Sequence, residues 1–95
     1  MKQIEYVCDQ ATLTAIDKDA KQNGVSLACW VSDAVALFYG FKPVEHISGY
    51  RGSPKACRIR FQMRESEIAR LKELSKIKMM TKRDILHVAV LAGLK

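Results

Sequence analysis

The sequence predicts a mostly α-helical protein with one short two-stranded antiparallel β-ribbon, in the order βαα-βαα. Three observations predict it. The chain has 95 residues, 48% of them hydrophobic and 27% charged, which is ordinary for one compact globular domain. Two short segments alternate polar and apolar residues, as half-buried strands do. The pattern of apolar positions, breaks and caps also recurs once, without a gap, at the offset that carries Ile4 onto Ile59.

The two strands are predicted at residues 3–8 and 58–63. In each of them every second residue is apolar, so one face of a paired ribbon closes a core and the other faces outward. The predicted core positions are Ile4, Tyr6, Cys8, Ile59, Phe61 and Met63. The predicted outward positions are Gln3, Glu5, Val7, Arg58, Arg60 and Gln62.

Two helices are predicted to follow the first strand. The first carries an apolar stripe and ends at Asn23-Gly24, the residues that best tolerate a left-handed cap. Ser26 is predicted to cap the second, strongly apolar helix. The stripe of the first helix is Leu13, Ile16 and Ala20.

The helices after the second strand follow the same plan. Acids at 65–67 suit the positive end of a helix, and its predicted stripe is Ile68, Leu71, Leu74 (or Ser75) and Met79. Thr81, with Asp84 three residues later, resembles a capping box. A second helix is expected from Lys82 to Ala92.

The chain therefore divides into a first unit at 1–41, a linker at 42–57 and a second unit at 58–95. The linker is assigned by its glycines and prolines. One strand and two helices bury too little apolar surface to be stable alone, so both units are expected to form one compact domain. The strands can pair within one chain or be exchanged between two chains, and the sequence leaves both arrangements open.

The net charge of +6 is concentrated in the second unit. The first unit holds three bases and five acids, whereas residues 58–95 hold ten bases and four acids. Such a distribution favours a polyanion partner, most simply nucleic acid. A merely basic surface is the alternative interpretation.

Several classes of protein are disfavoured. No apolar run approaches the roughly 20 residues of a membrane span, and the N-terminus lacks the layout of a secretion signal. Three cysteines with no paired spacing indicate reduced thiols in a cytoplasmic protein without a metal site. No catalytic motif or phosphate-binding glycine loop is present, so neither an enzyme nor a cofactor is expected. His87 is expected to be solvated on the outer side of its helix.

Each unit resembles the ribbon-helix-helix superfamily, which includes the Arc and methionine repressors. The resemblance rests on the order of strand, helix, polar-capped turn and second helix, and on an Ala-Val pair in the second helix (Ala34-Val35, Ala89-Val90). The resemblance covers residues 3–41 and 58–94, as a tandem, single-chain pseudo-dimer. It implies binding of double-stranded DNA with the ribbon in the major groove. It also implies that the start of each second helix contacts a phosphate.

The resemblance assigns roles position by position. Base-reading places fall to Arg58, Arg60 and Gln62, and to their counterparts Gln3, Glu5 and Val7. Arginine suits guanine and glutamine suits adenine, whereas Glu5 suits only a cytosine amine and Val7 a thymine methyl. Phosphate contacts fall to Ser26, Leu27, Thr81, Lys82, Arg83, Arg64 and Lys55.

Three functions agree with this interpretation. Transcriptional repression is the first, and an accessory role in plasmid or conjugative DNA processing is the second. The third is a protein-binding scaffold, such as an antitoxin or a phage-encoded inhibitor. Self-association on DNA through Tyr39, Phe41 or the linker is a further expectation.

Overall fold

The structure, a computed structural model, describes residues 2–42 and 57–95 and confirms a mostly helical chain with a two-stranded antiparallel sheet. The elements, in chain order, are β1 (Lys2–Val7), α1 (Gln10–Gln22), α2 (Leu27–Tyr39), β2 (Arg58–Met63), α3 (Glu65–Ile77) and α4 (Lys82–Gly93). Both α1 and α3 have 13 residues, and their bounds differ by the offset that separates Ile4 from Ile59.

The register of the ribbon is symmetrical about one pair of residues. Glu5 lies opposite Arg60, and these two residues are 55 apart, the offset of the sequence repeat. On one side of them Ile4 faces Phe61, and on the other Tyr6 faces Ile59. Because opposite residues share a face, the predicted apolar set lies together on one side of the ribbon.

The helices interlock beneath that apolar face. The second helix of each half packs against the strand of the other half: α2 against β2 and α4 against β1. The two second helices also pack on each other. One hydrophobic core results, to which every helix and both strands contribute. Its fully buried large side chains are Tyr6, Ile16, Val31, Val35, Ile59, Phe61, Leu71, Ile85, Leu86 and Val90.

The aromatic residues at the end of α2 belong to this packing. Tyr39 donates its hydroxyl hydrogen to the carbonyl oxygen of Ile85 in α4 at 2.5 Å. Tyr39 and Phe41 are both partly buried against the core. The Tyr39 bond links the two second helices, and self-association through Tyr39 or Phe41 stays a prediction.

The predicted helix caps are confirmed. The Ser26 hydroxyl accepts the amide hydrogen of Cys29 at 3.1 Å. Thr81 and Asp84 form the reciprocal capping box, each side chain accepting from the other's backbone amide. These bonds satisfy amide groups that the first turn of a helix leaves without an intrahelical partner.

The first helices of both halves end in a left-handed residue. Gly24 has φ +68° after α1, and Met79 has φ +53° after α3. In both places the next amide donates to a carbonyl of the last helical turn at 3.0 Å, from Val25 to Ala20 and from Met80 to Ser75. This is the Schellman arrangement. The prediction that Met79 belongs to the apolar stripe is wrong, because the helix stops at Ile77 and the Met79 side chain is 93% exposed.

We expect Met79→Gly to stabilise the protein. A left-handed conformation costs a non-glycine residue about 1–2 kcal/mol, and the added freedom of glycine in the unfolded chain offsets roughly 0.4–1 kcal/mol of that gain. The free energy of unfolding, measured with urea, should therefore rise by about 0.5–1 kcal/mol.

Gly24→Ala is the matched control. A Cβ at Gly24 would meet nothing within 4 Å, so any loss of stability reports the backbone conformation alone. We expect that variant to be destabilised by about 1 kcal/mol. A destabilised Gly24→Ala beside a Met79→Gly with no gain would contradict this account of the second helix end.

Candidate nucleic-acid interface

The outer face of the ribbon carries polar and charged side chains in three cross-strand pairs. Gln3 lies opposite Gln62, Glu5 opposite Arg60 and Val7 opposite Arg58. All of these side chains are exposed except Val7, which is half-buried. Two glutamine amides and two guanidinium groups therefore stand side by side on one exposed strip, and each of them can form two hydrogen bonds with a planar partner.

Glu5 forms ion pairs with both arginines of the opposite strand. Its Oε2 accepts a hydrogen bond from Arg60 Nε at 3.2 Å, and its Oε1 lies 4.0 Å from a terminal nitrogen of Arg58. Exposed pairs of this kind contribute at most about 1 kcal/mol. Glu5 therefore orients the two guanidinium groups without preventing them from leaving for a stronger partner.

The predicted phosphate positions lie at the starts of α2 and α4. The Ser26 and Thr81 hydroxyls are occupied as caps, so what these sites offer an anion is backbone amides and the residues that follow. Leu27 follows in α2, whereas Lys82 and Arg83 follow in α4. The two starts have the same backbone and differ in charge.

Arg83 lies across the ribbon end. Its Nε donates to the carbonyl oxygen of Val7 at 3.3 Å, so α4 is tied to the last residue of β1. This contact brings the start of α4 beside the outer strip. The sequence did not indicate the bond, because it joins residues 76 positions apart.

A cleft of about 210 Å³ opens between β1, α3 and α4. Three lysines line it, Lys2, Lys72 and Lys82, together with Glu65. Glu65 pairs with Lys2 at 3.9 Å, which leaves an excess of positive charge in the cleft. The sequence predicted a phosphate contact for Lys82 but not for Lys2 or Lys72, whose approach depends on how the helices pack on the strand.

The positions equivalent to these lysines in the other half do not repeat the charge. The repeat carries Lys72 onto Asp17 and Lys82 onto Leu27, and Lys2 onto Cys57. An anion is therefore attracted to this cleft more strongly than to the equivalent place in the other half.

The two remaining predicted phosphate ligands differ in position. Arg64 donates to Glu67 Oε1 and to the backbone carbonyl of Lys42, both at 2.9 Å. These bonds hold its guanidinium at the start of α3. Lys55 lies outside the described residues.

His87 is half-buried rather than solvated, so the expectation for it is wrong. Its Nδ1 lies 2.7 Å from the hydroxyl oxygen of Tyr6, which is fully buried beneath the ribbon. Burial raises the pKa of Tyr6 far above its ordinary value, so the hydroxyl keeps its proton and shares a hydrogen bond with Nδ1. Ser32, the counterpart of His87, is 4% exposed. This helix face is therefore at least partly buried in both halves, which the apolar periodicity did not reveal.

No group of three or more histidine, cysteine or acidic side chains in residues 2–42 and 57–95 is placed to hold a metal ion. Within the same ranges, no helix has both the length and the apolar character that crossing a bilayer requires.

Comparisons of the chain with family models, with curated proteins and with solved structures gave no match. The ribbon, the helix starts and the lysine-lined cleft are therefore the features that indicate a function.

We expect the protein to lose stability as the pH rises through 9 to 11. Burial raises the pKa of Cys8 from 9.0 to about 11, and it raises that of Tyr6 above 10.0. A raised pKa means that the folded chain keeps a proton that the unfolded chain releases, so the free energy of unfolding falls with pH in this window.

The contribution of Tyr6 can be isolated with Tyr6→Phe. Near neutral pH the variant should be less stable by about 1 kcal/mol, because a hydrogen bond is lost. Above pH 10 its urea midpoint should fall less steeply than that of the wild type. Identical slopes in the two proteins would contradict a buried, protonated Tyr6.

Proposed function

We propose that the chain is a sequence-specific double-stranded DNA-binding protein of the ribbon-helix-helix type, and that it acts as a transcriptional repressor. The observation that carries the proposal is the exposed two-stranded ribbon with glutamine and arginine on its outer face. A two-stranded ribbon fits the major groove. Its paired donors and acceptors match what base edges present there.

The tandem form of this fold is part of the proposal, and three observations support it. The elements follow the order β, α, α, β, α, α. The ribbon register is centred on two residues 55 apart. The second helix of each half packs against the other half's strand. Together they are what a pseudo-dimer of two such units within one chain requires.

Each outward side chain has a preferred base. Arg58 and Arg60 suit the O6 and N7 atoms of guanine, and Gln3 and Gln62 suit adenine. Glu5 accepts from the amine of cytosine, so Glu5 and Arg60, already paired, offer groups for both bases of G·C pairs. Because both arginines lie on β2 and the acid lies on β1, the preferred site is not a palindrome.

The lysine-lined cleft supports phosphate contacts made mainly by the second half. Lys82 stands at the start of α4, where free amides and the helix dipole attract a phosphate. Lys2 and Lys72 add charge beside it. The first half has Asp17 and Leu27 at these places, so it contributes less to binding of the DNA phosphates. Its part in DNA binding is confined to its side chains on the outer strip.

The test of base reading is the triple variant Arg58→Ala/Arg60→Ala/Gln62→Ala. A preferred site is first selected for the wild type from random oligonucleotides. The variant should lose the preference for that site over random DNA, because each good base contact contributes about 1–3 kcal/mol of discrimination. Circular dichroism establishes that it folds.

The matched control removes the same kinds of side chain from exposed helix positions, as Arg70→Ala/Lys76→Ala/Gln22→Ala. It should keep the preference and lose only general affinity. A folded ribbon variant with unchanged preference, or failure of the wild type to select any sequence, would contradict base reading by the ribbon.

The lysine cleft is tested by the salt dependence of DNA binding. The logarithm of the association constant should fall linearly with the logarithm of salt concentration. Each lost phosphate contact should reduce the slope by about 0.9. Lys72→Ala/Lys82→Ala should therefore reduce it by close to 2. The control Lys18→Ala/Lys21→Ala removes equal charge from exposed positions of α1. Equal changes of slope in both variants would contradict a dedicated phosphate site.

Binding to another protein is the second candidate function, and the surface around Leu37 favours it. Leu37 is 85% exposed and lines two shallow apolar grooves beside α2. A chain with this function alone would show no steep salt dependence towards DNA. The accessory role in conjugative DNA processing uses the same ribbon, and the sequence selected by the wild type separates that role from repression.

A further inference from the structure

Two thiols meet at one end of the ribbon. Cys8 follows β1 and Cys57 precedes β2. The backbone amide of Cys8 donates to the carbonyl oxygen of Cys57 at 3.0 Å. This bond continues the register by one step beyond the Val7–Arg58 pair, so the two cysteines lie opposite each other.

Opposite positions suit a disulfide. Directly opposed residues of antiparallel strands have Cα atoms about 4.5–5.5 Å apart, within the range of roughly 4.4–6.8 Å that disulfides span. The Cys8 sulfur lies 3.7 Å from the carbonyl oxygen of Cys57, so it is directed at the neighbouring strand. Burial raises the pKa of Cys8, and the neighbouring Cys57 adds to the shift.

The two thiols differ in access. Cys8 is 5% exposed, whereas Cys57 is only partly buried. Cys57 also has a φ of +52°, a left-handed conformation that is uncommon for a residue with a Cβ. Its sulfur lies 3.5 Å from the side-chain oxygen of Gln10 at the start of α1. An oxidant therefore reaches Cys57 first.

We propose that Cys8 and Cys57 form a redox-responsive disulfide that joins the end of β1 to the start of β2. The oxidant is a low-molecular-weight disulfide such as oxidised glutathione. The Cys57 thiolate attacks one of its sulfurs and releases the first glutathione thiolate. The Cys8 thiolate then attacks the Cys57 sulfur and releases the second. Two protein thiols are oxidised, one glutathione disulfide is reduced to two thiols, and the protons of the cysteines pass to the released thiolates.

The bond would act on stability. It closes a loop between two residues 49 positions apart, which restricts the unfolded chain more than the folded one. Because Cys8 is a poor leaving group at its raised pKa, the bond would resist reduction once formed. The inference does not depend on what the ribbon binds.

The experiment incubates the reduced full chain with excess oxidised glutathione, blocks the remaining thiols with N-ethylmaleimide and identifies the products by intact mass and peptide mapping. We expect a monomer with Cys8 linked to Cys57 and with Cys29 alkylated. The glutathione adduct of Cys57 should appear first and resolve faster as the pH approaches 11, where Cys8 ionises. The oxidised chain should unfold at a temperature higher by about 10–30 °C.

Two cysteine variants complete the test. Cys29→Ser should form the bond as the wild type does. Cys8→Ala should stop at the glutathione adduct of Cys57 and gain no thermal stability. If the wild type also stops at that adduct, or links Cys29 instead, or forms dimers joined by a disulfide, the proposal is overturned. Cys57→Ser changes a partly exposed side chain and provides a second test if Cys8→Ala does not fold. The Cys57→Ser variant should form no intramolecular disulfide.

Discussion

The pairing of β1 with β2 is the interaction on which the rest of the structure depends. An isolated strand leaves its backbone groups without partners and one face of side chains uncovered. Here each strand satisfies the other, and the apolar face so formed is covered by α2 and α4. Since each of those helices crosses to the strand of the other half, neither half retains a complete core when separated. The ribbon, the helix starts and the cleft therefore keep their relative positions only while the whole chain is folded.

The two halves have closely similar backbones but different exposed side chains. The register and the first helices repeat closely, yet Lys72 and Lys82 correspond to Asp17 and Leu27. The left-handed helix ends correspond as well, with glycine in one half and methionine in the other. Backbone geometry is thus preserved where packing requires it. Exposed positions differ, because solvent tolerates most side chains there.

Local physical chemistry accounts for what the sequence predicted. Strand alternation, helix stripes and the caps at Ser26 and Thr81 depend on residues a few positions apart, and the structure confirms them. The contacts that were missed join distant parts of the chain. The Tyr6–His87 bond, the Glu5–Arg60 pair and the approach of Lys2 to α3 each depend on register or helix packing. The prediction that Met79 belongs to the apolar stripe was wrong for a local reason, because the helix ends at Ile77 and its periodicity does not extend beyond that residue.

Both strands of the ribbon come from one polypeptide, and this determines how the folded fraction depends on protein concentration. A homodimer that must assemble its sheet from two molecules comes apart on dilution, so its folded fraction depends on how many copies are present. Because the strands pair within one chain, folding is unimolecular and the folded fraction does not depend on protein concentration. A protein built this way keeps its fold at a handful of molecules per compartment, and its occupancy of any ligand follows a simple hyperbola in its own concentration.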